Sequence, residues 1–170
     1  RYGFDEAAAG YVTLHEKEAC VGILLDIDNF KLINDLYGHA AGDQALRTLA
    51  ESIRQNFPDK AILGRNGGDE FSILLGNETI ASAQARIQAF ATRQRAFCSE
   101  GLAQNFTISL GYAEYPRQAS SVSALLSRAD MALYEVKMGG KRGCLAYNDQ
   151  ICGKKERSQL GFMLNDISEN

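Results

Sequence analysis

Three stretches of this chain carry side chains that could do chemistry. The first is Asp26-Ile27-Asp28-Asn29-Phe30-Lys31, which follows a run of apolar residues. The second is Arg65-Asn66-Gly67-Gly68-Asp69-Glu70-Phe71, where two glycines lead into two acids between apolar segments. The third gathers Lys137, Lys141 and Arg142 around Gly139 and Gly140. A buried strand ending in Asp-x-Asp puts both carboxylates on one side at its carboxyl end. Taken alone, such a pair reads as turn and helix capping. A hairpin turn needs only Asn-Gly or Gly-Asp, so the second acid and Arg65 exceed what a turn asks for. If the two acidic stretches converge, Asp26 and Asp69 offer the hard oxygen ligands that Mg²⁺ takes together with substrate phosphates. Two such ions are a common arrangement for phosphoryl and nucleotidyl transfer. Lys31 sits in the first turn of a predicted helix, where a cation opposes the helix dipole. That placement makes sense if Lys31 faces a phosphate. Lys137 alone reads as a basic residue at a helix C-terminus; with Lys141 and Arg142 it reads as a phosphate clamp.

Several familiar sites are excluded by spacing. An EF-hand loop beginning at Asp26 would need Gly at 31 and Glu at 37, but Lys31 and Tyr37 stand there. A phosphate-binding loop ending at Gly140-Lys141 would need Gly at 135 and Ser or Thr at 142, where Glu135 and Arg142 stand. The only histidines are His15 and His39, too few for histidine-based metal sites or triads. The net charge of −3 gives no global basic field, so no nucleic-acid partner is expected. No apolar run approaches the roughly eighteen residues of a membrane span, and no signal peptide is evident. Four cysteines, at 20, 98, 144 and 152, form no Cys-x-x-Cys pair. Cys20 and Cys98 are expected to be buried free thiols, and a reducing, cytoplasmic compartment follows.

The elements that must position these residues are legible in the periodicity. Residues 2–18 read as a helix with Phe4, Ala7, Ala8, Tyr11 and Leu14 on one face. Residues 21–27 are the near-continuous apolar run of a central strand. A short helix over 28–39 points Phe30, Ile33 and Tyr37 inward, and a longer one spans 41–56. Strands 61–65 and 70–75 form a hairpin around Asn-Gly-Gly-Asp. A helix is expected over 78–97, a strand over 106–115 with Phe106, Ile108, Leu110 and Tyr112 on one face, a helix over 123–137 and a strand over 144–147. That mixture predicts an α+β fold with a central, mostly antiparallel sheet flanked by helices. At 170 residues and 45% hydrophobic, the chain suits one globular domain. Its tail, 154–170, carries Leu160, Met163, Leu164 and Ile167 at helical spacing. It is read as a linker helix toward a further domain. Arg1 is not an initiator Met, and more sequence is expected at both ends.

Four segments, in order, resemble the GGDEF diguanylate cyclases: residues 26–43, 65–71, 106–116 and 129–142. The resemblance covers nearly all of 1–148, leaving 149–170 as linker. It implies a fold similar to the palm of polymerases and of class III adenylyl cyclases. It implies condensation of two GTP into cyclic di-GMP with release of pyrophosphate. Each domain would hold one GTP and meet a second such domain head to tail. By position, Asp26, the carbonyl of Ile27 and Asp69 would hold Mg²⁺, with Mn²⁺ a possible substitute. Asp69 and Glu70 would serve the attacking hydroxyl. Phe30 and Lys31 would bind the triphosphate, with Lys31 also stabilising the transition state. Asn34 and Asp43 would read guanine, with His39 in the same segment. Gly67 and Gly68 would admit the nucleotide, and Lys137 and Lys141 would clamp its phosphates. The chemistry of the pair agrees, because a carboxylate such as Asp43 can accept from guanine N1–H and N2–H₂ together.

Departures from the family pattern carry expectations too. Many members place Arg-x-x-Asp before the signature; Pro58-Asp59-Lys60-Ala61 stands here, so inhibition by product through that site is not expected. Lys141 replaces the usual Arg, keeping the charge but not the fork. The tail resembles the linker to an EAL phosphodiesterase domain, which makes a GTP-binding regulatory domain the alternative function. A metal-dependent glycosyltransferase would use Asp-x-Asp but leaves residues 65–71 unexplained.

Overall fold

The structure, a computed structural model, describes residues 2–151; the expected tail helix over 154–170 lies outside them. In chain order the elements are α1 (Tyr2–Leu14), β1 (Cys20–Ile27), α2 (Phe30–Tyr37), α3 (His39–Asn56), β2 (Ile62–Arg65), β3 (Glu70–Gly76), α4 (Ile80–Thr92), β4 (Arg95–Ser99), β5 (Leu102–Phe106), β6 (Ile108–Tyr115), α5 (Val122–Met138) and β7 (Gly143–Ala146). Five strands form one sheet in the order β2-β3-β1-β6-β7. All neighbours are antiparallel except β6 and β7. The central strand is β1, buried at every position as its apolar run predicts. Its register sets Asp26 opposite Glu70 of β3 on one side and Ser109 of β6 on the other.

Alternation along β1 divides the interior. Val21, Ile23, Leu25 and Ile27 join the core beneath α3 and α4, with Leu49, Ile53, Ile87 and Phe90. Cys20 and Leu24 face α1 and α5 instead, near Phe4, Leu125 and Leu133. Asp26 shares this second face by the period of two. There α5 lies almost directly on the strand backbone. A Cβ on Gly111 would stand 2.2 Å from the Ala129 carbonyl oxygen, and one on Gly22 would stand 2.9 Å from Leu125. This close approach brings the end of α5, and Lys137 with it, to the carboxyl end of β1.

Some expectations are corrected. The first helix ends at Leu14, which is 82% exposed rather than inward. The helix expected over 78–97 stops at Thr92, and Arg95–Ser99 is a strand paired with Leu102–Phe106. Periodicity shows the reason: Arg95 and Phe97 are buried while Ala96 and Cys98 are exposed, a period of two. Cys98 is therefore exposed rather than buried, whereas Cys20 is buried as expected. The strand expected over 106–115 is in fact the end of β5, a break at Thr107, and β6. Tyr37 is 39% exposed, meeting the Phe97 ring edge-on and donating from its hydroxyl to Gln104 Oε1 at 3.3 Å.

Candidate active site

The end of β1 holds the carboxylate Asp26, buried at 8% exposure. Its Oδ2 is paired with the Lys137 ammonium from α5. Its Oδ1 is buried with no hydrogen-bond partner. Burial pushes the Asp26 pKa up to about 6; Lys137 opposes that shift, while Asp69 and Asp28 add to it. Burial works against the charge on Lys137, but Asp26, then Asp69 and Glu70, hold its pKa above the ordinary value.

The second acid of the pair behaves differently. Asp28 caps no helix, contrary to the simplest reading of Asp-x-Asp. The N-cap of α2 is Asn29, in the left-handed region at φ 55°, and it makes no side-chain capping bond. Asp28 instead accepts hydrogen bonds from Ser109 Oγ at 2.5 Å and Thr107 Oγ1 at 2.7 Å.

The turn between β2 and β3 is built around its glycines. Gly67 and Gly68 take φ 96° and 56°, as the expected tight turn requires. Arg65 clips the turn shut, its Nε and Nη2 donating to the Gly68 carbonyl at 3.0 and 2.7 Å. Asn66 donates from Nδ2 to Ser72 Oγ at 2.6 Å. The acids that follow diverge. Asp69 lines the same cavity as Asp26 and Lys137, while Glu70, on the same face of the sheet as its register partner Asp26, lines a neighbouring cavity toward α1.

A cavity of about 670 Å³ collects most of the predicted residues: Asp26, Ile27, Phe30, Lys31, Asn34, Asp69, Lys137 and Lys141 all line it. Asn29, Leu32 and Asp35, not singled out from the sequence, line it as well. Their only sequence signal is membership of the same loop and helix. Glu70 lines a separate cavity of about 540 Å³ between α1 and α5, with Asn66, Ser127 and Asp130. Asp43 lines a third, of about 310 Å³, with Leu46, Arg47 and Arg65. Asn34 and Asp43 are nonetheless close along the chain's fold. A Cβ on Gly42, the residue before Asp43, would stand 1.9 Å from Asn34 Oδ1. His39 is exposed at the start of α3 and lines none of these three cavities, nor do Gly67 and Gly68.

The donor set fits a magnesium ion held jointly with a phosphate ligand. Among the described residues, no group of three or more His, Cys, Asp or Glu side chains could hold a metal by itself. Mg²⁺ does not need one, since one or two carboxylates plus substrate phosphates suffice. The unpartnered Asp26 Oδ1 is the atom such an ion would satisfy. Lysines 31, 137 and 141 around the same cavity would offset a polyphosphate.

Fold and cavity together define an α+β domain, one sheet with helices on both faces, that gathers acids and a basic rim at the carboxyl end of its central strand. The chain belongs to the diguanylate cyclase, GGDEF domain family, whose model matches residues 1–143. It is 36% identical over 128 residues to diguanylate cyclase A of Treponema denticola, covering 74% of this chain and 34% of that protein. It is 38% identical over 129 residues to the cyclic di-GMP phosphodiesterase PdeR of Escherichia coli, covering 75% of this chain and 20% of that protein. The chain thus spans about a third of the first relative and a fifth of the second. The solved GGDEF domain of TpbB from Pseudomonas aeruginosa superposes with a TM-score of 0.84 at 29% identity, over 92% of this chain and 94% of that one. The family and the α+β architecture expected from the sequence are both borne out. No helix among the described residues is long and apolar enough to cross a membrane.

Proposed function

We propose that this domain is a diguanylate cyclase, condensing two GTP into cyclic di-GMP and two pyrophosphates. The observation that carries the reading is the buried, unpartnered Asp26 Oδ1 facing the cavity that Asp69, Lys31 and Lys141 also line. Asp26, the Ile27 carbonyl and Asp69 would hold Mg²⁺, or Mn²⁺ in its place. The ion would supply charge neutralisation at the phosphates and polarise the α-phosphate. Lys31, Lys137 and Lys141 bind the triphosphate and orient it across the first turn of α2, together with Phe30. Asp69 takes the proton of the attacking 3′-hydroxyl, with Glu70 beside it on the hairpin. The 3′-oxygen bonds to the α-phosphorus of the other nucleotide, and the bond to the β-phosphate oxygen breaks. Lys31 steadies the charge that grows on the α-phosphate oxygens. Each half of the product forms this way, so two domains must meet, each with its own GTP. Asn34 and Asp43, across Gly42, read guanine at its donor edge, and His39 stands at the start of the same helix. Gly67 and Gly68 leave room for the second nucleotide. The domain, taken as residues 1–148, would work in the cytoplasm.

A second reading keeps GTP binding but little turnover, with the domain controlling an adjacent EAL-type phosphodiesterase. The similarity to PdeR, whose name is that of a phosphodiesterase, favours it. The deciding experiment incubates the protein at high concentration with GTP and Mg²⁺ and looks for cyclic di-GMP by mass spectrometry. Product supports the cyclase. Saturating GTP binding without product, in a sample that forms dimers, supports the regulatory reading.

A further inference from the structure

Asp28 is buried at 6% exposure, yet it forms no ion pair among the described residues. Both of its oxygens are occupied by neutral donors. Oδ1 accepts from Ser109 Oγ; Oδ2 accepts from Thr107 Oγ1 and from the backbone N–H of Arg142 at 3.1 Å. Ser109 Oγ lies 3.2 Å from that same N–H. The Asp28 backbone N–H in turn donates to the Thr107 carbonyl at 2.9 Å. Asp28 therefore ties the end of β1 to the start of β6 and to the turn between α5 and β7.

That turn is strained. Lys141 and Arg142 take φ 65° and 58°, two successive non-glycine residues in the left-handed region. Side-chain-bearing residues adopt this region only where the surroundings impose it. Here the Lys141 N–H donates to the Val136 carbonyl at 2.9 Å, and the Arg142 N–H is taken by Asp28. The consequence is the position of the Lys141 ammonium, which reaches the cavity and donates to Asn29 Oδ1 at 2.7 Å. Asn29 is itself left-handed, so three left-handed residues gather around the buried Asp28 carboxylate. The free buried carboxylate oxygen at this site belongs to Asp26. Both Asp28 oxygens already accept hydrogen bonds.

We propose that Asp28 is a positioning residue for phosphate binding: its carboxylate holds the Lys141–Arg142 turn in its left-handed form and so sets where the Lys141 ammonium stands. This rests on the reading of Lys141 as a phosphate clamp.

The test compares D28A, D28N, K141A and the D28A/K141A double variant in the otherwise intact protein. Three quantities are measured: the affinity for a non-hydrolysable GTP analogue with Mg²⁺, the affinity for Mn²⁺ alone, and hydrogen exchange at the Arg142 amide. D28A is expected to weaken the analogue about tenfold, in the range of losing a supporting side chain behind a ligand-binding group. Arg142 exchange should accelerate and Mn²⁺ affinity should stay unchanged. D28N keeps an oxygen acceptor for the Arg142 N–H and should stay within about twofold of the parent protein. The double variant should be no worse than K141A, because residues acting through one another are not additive. Losses that add overturn the proposal, as does a D28N variant that loses Mn²⁺ affinity. If K141A binds the analogue normally, both the clamp reading and the positioning role fail. If K141A weakens binding and D28A does not, the positioning role fails alone. Should D28A not fold, S109A loosens the same carboxylate and amide, with about a threefold loss expected and the same non-additivity.

Discussion

The two faces of the central sheet do different work. Beneath α3 and α4 the strands present an unbroken apolar surface: Val21, Ile23, Leu25 and Ile27 from β1, and Phe71, Ile73 and Leu75 from β3. Beneath α5, β1 presents Gly22 and the carboxylate of Asp26, and β6 presents Gly111. The first face is filled by side chains. The second is filled by side chains such as Phe4, Leu24, Leu125 and Leu133 except at Gly111, where helix backbone presses onto strand backbone, and its end holds an ion pair and a cavity. One strand serves both tasks because successive residues point to opposite sides. A site can then be tuned on one face while stability is held on the other.

The largest effect that sharpens this contrast is the loss of Asp69. Asp69→Asn should lower cyclic di-GMP formation by about a thousandfold or more, the scale of removing a group that acts on the reacting atoms. Asp69 lies at an open turn, so stability should move by less than about 0.5 kcal/mol. Full activity in this variant would remove Asp69 from the metal site. The opposite pattern is expected for Ile73→Ala on the filled face. Truncating this fully buried side chain should cost about 2–5 kcal/mol. The KM for GTP should not change in the fraction that remains folded. A changed KM would mean that the two faces are not independent.

The next prediction concerns the helix contact itself. Gly111→Ala places a methyl group 2.2 Å from the Ala129 oxygen and the Leu133 nitrogen, neither of which is a flexible side-chain end. Overpacking of this kind should cost about 2–3 kcal/mol and lower Tm by several degrees. Because α5 must lift, Lys137 should also leave Asp26, so GTP affinity falls along with stability. Thermal denaturation and analogue binding on one sample check both. Loss of stability with unchanged affinity would show that the end of α5 is held by something other than this contact.

What the sequence made legible follows the same division. The buried strand and the helices of the filled face show in apolar periodicity; the pairing of β1 with β3 that brings Asp26 near the hairpin does not, and enters the sequence reading only as a condition. The β4–β5 hairpin escaped because Arg95–Ser99 follows a true helix without a glycine or proline between them, and Arg95 is charged yet buried. Its guanidinium is satisfied by Ser52 Oγ and by the carbonyls of Arg93 and Phe90, contacts that no local pattern announces. At the site, residue types named Asp26, Lys31, Asp69 and Lys141. They could not separate the two acids of Asp-x-Asp, because the difference lies in the donors that reach them. Ser109 arrives from β6 and Thr107 from the break before it, 81 and 79 positions away. Nor could they tell that Glu70 and Asp69, adjacent in sequence, open onto different cavities.

The smallest expected effect concerns pH, where the two states of Asp26 pull in opposite directions. Its folded pKa is raised to about 6 from an ordinary 3.8, chiefly by burial. A carboxyl held above its unfolded value makes the metal-free fold less stable above pH 6. That burden is relieved as pH falls from 6 toward 4. Lys137 adds nothing in this window, since its pKa is raised from 10.5 and it stays charged throughout. Divalent ions need the carboxylate, so their binding runs the other way. Between pH 7.5 and pH 5 the affinity for Mg²⁺ should fall about tenfold, one unit of proton competition below the folded pKa. Measured as the rise in Tm on adding Mg²⁺ with a GTP analogue, the shift should shrink on acidification while Asp26 alone favours the acid form of the free protein. Asp26→Asn should abolish the Mg²⁺-dependent shift and flatten its pH dependence. A shift that persists undiminished at pH 5 would place the metal on other ligands, and Asp26 would then be a buried acid held only by Lys137.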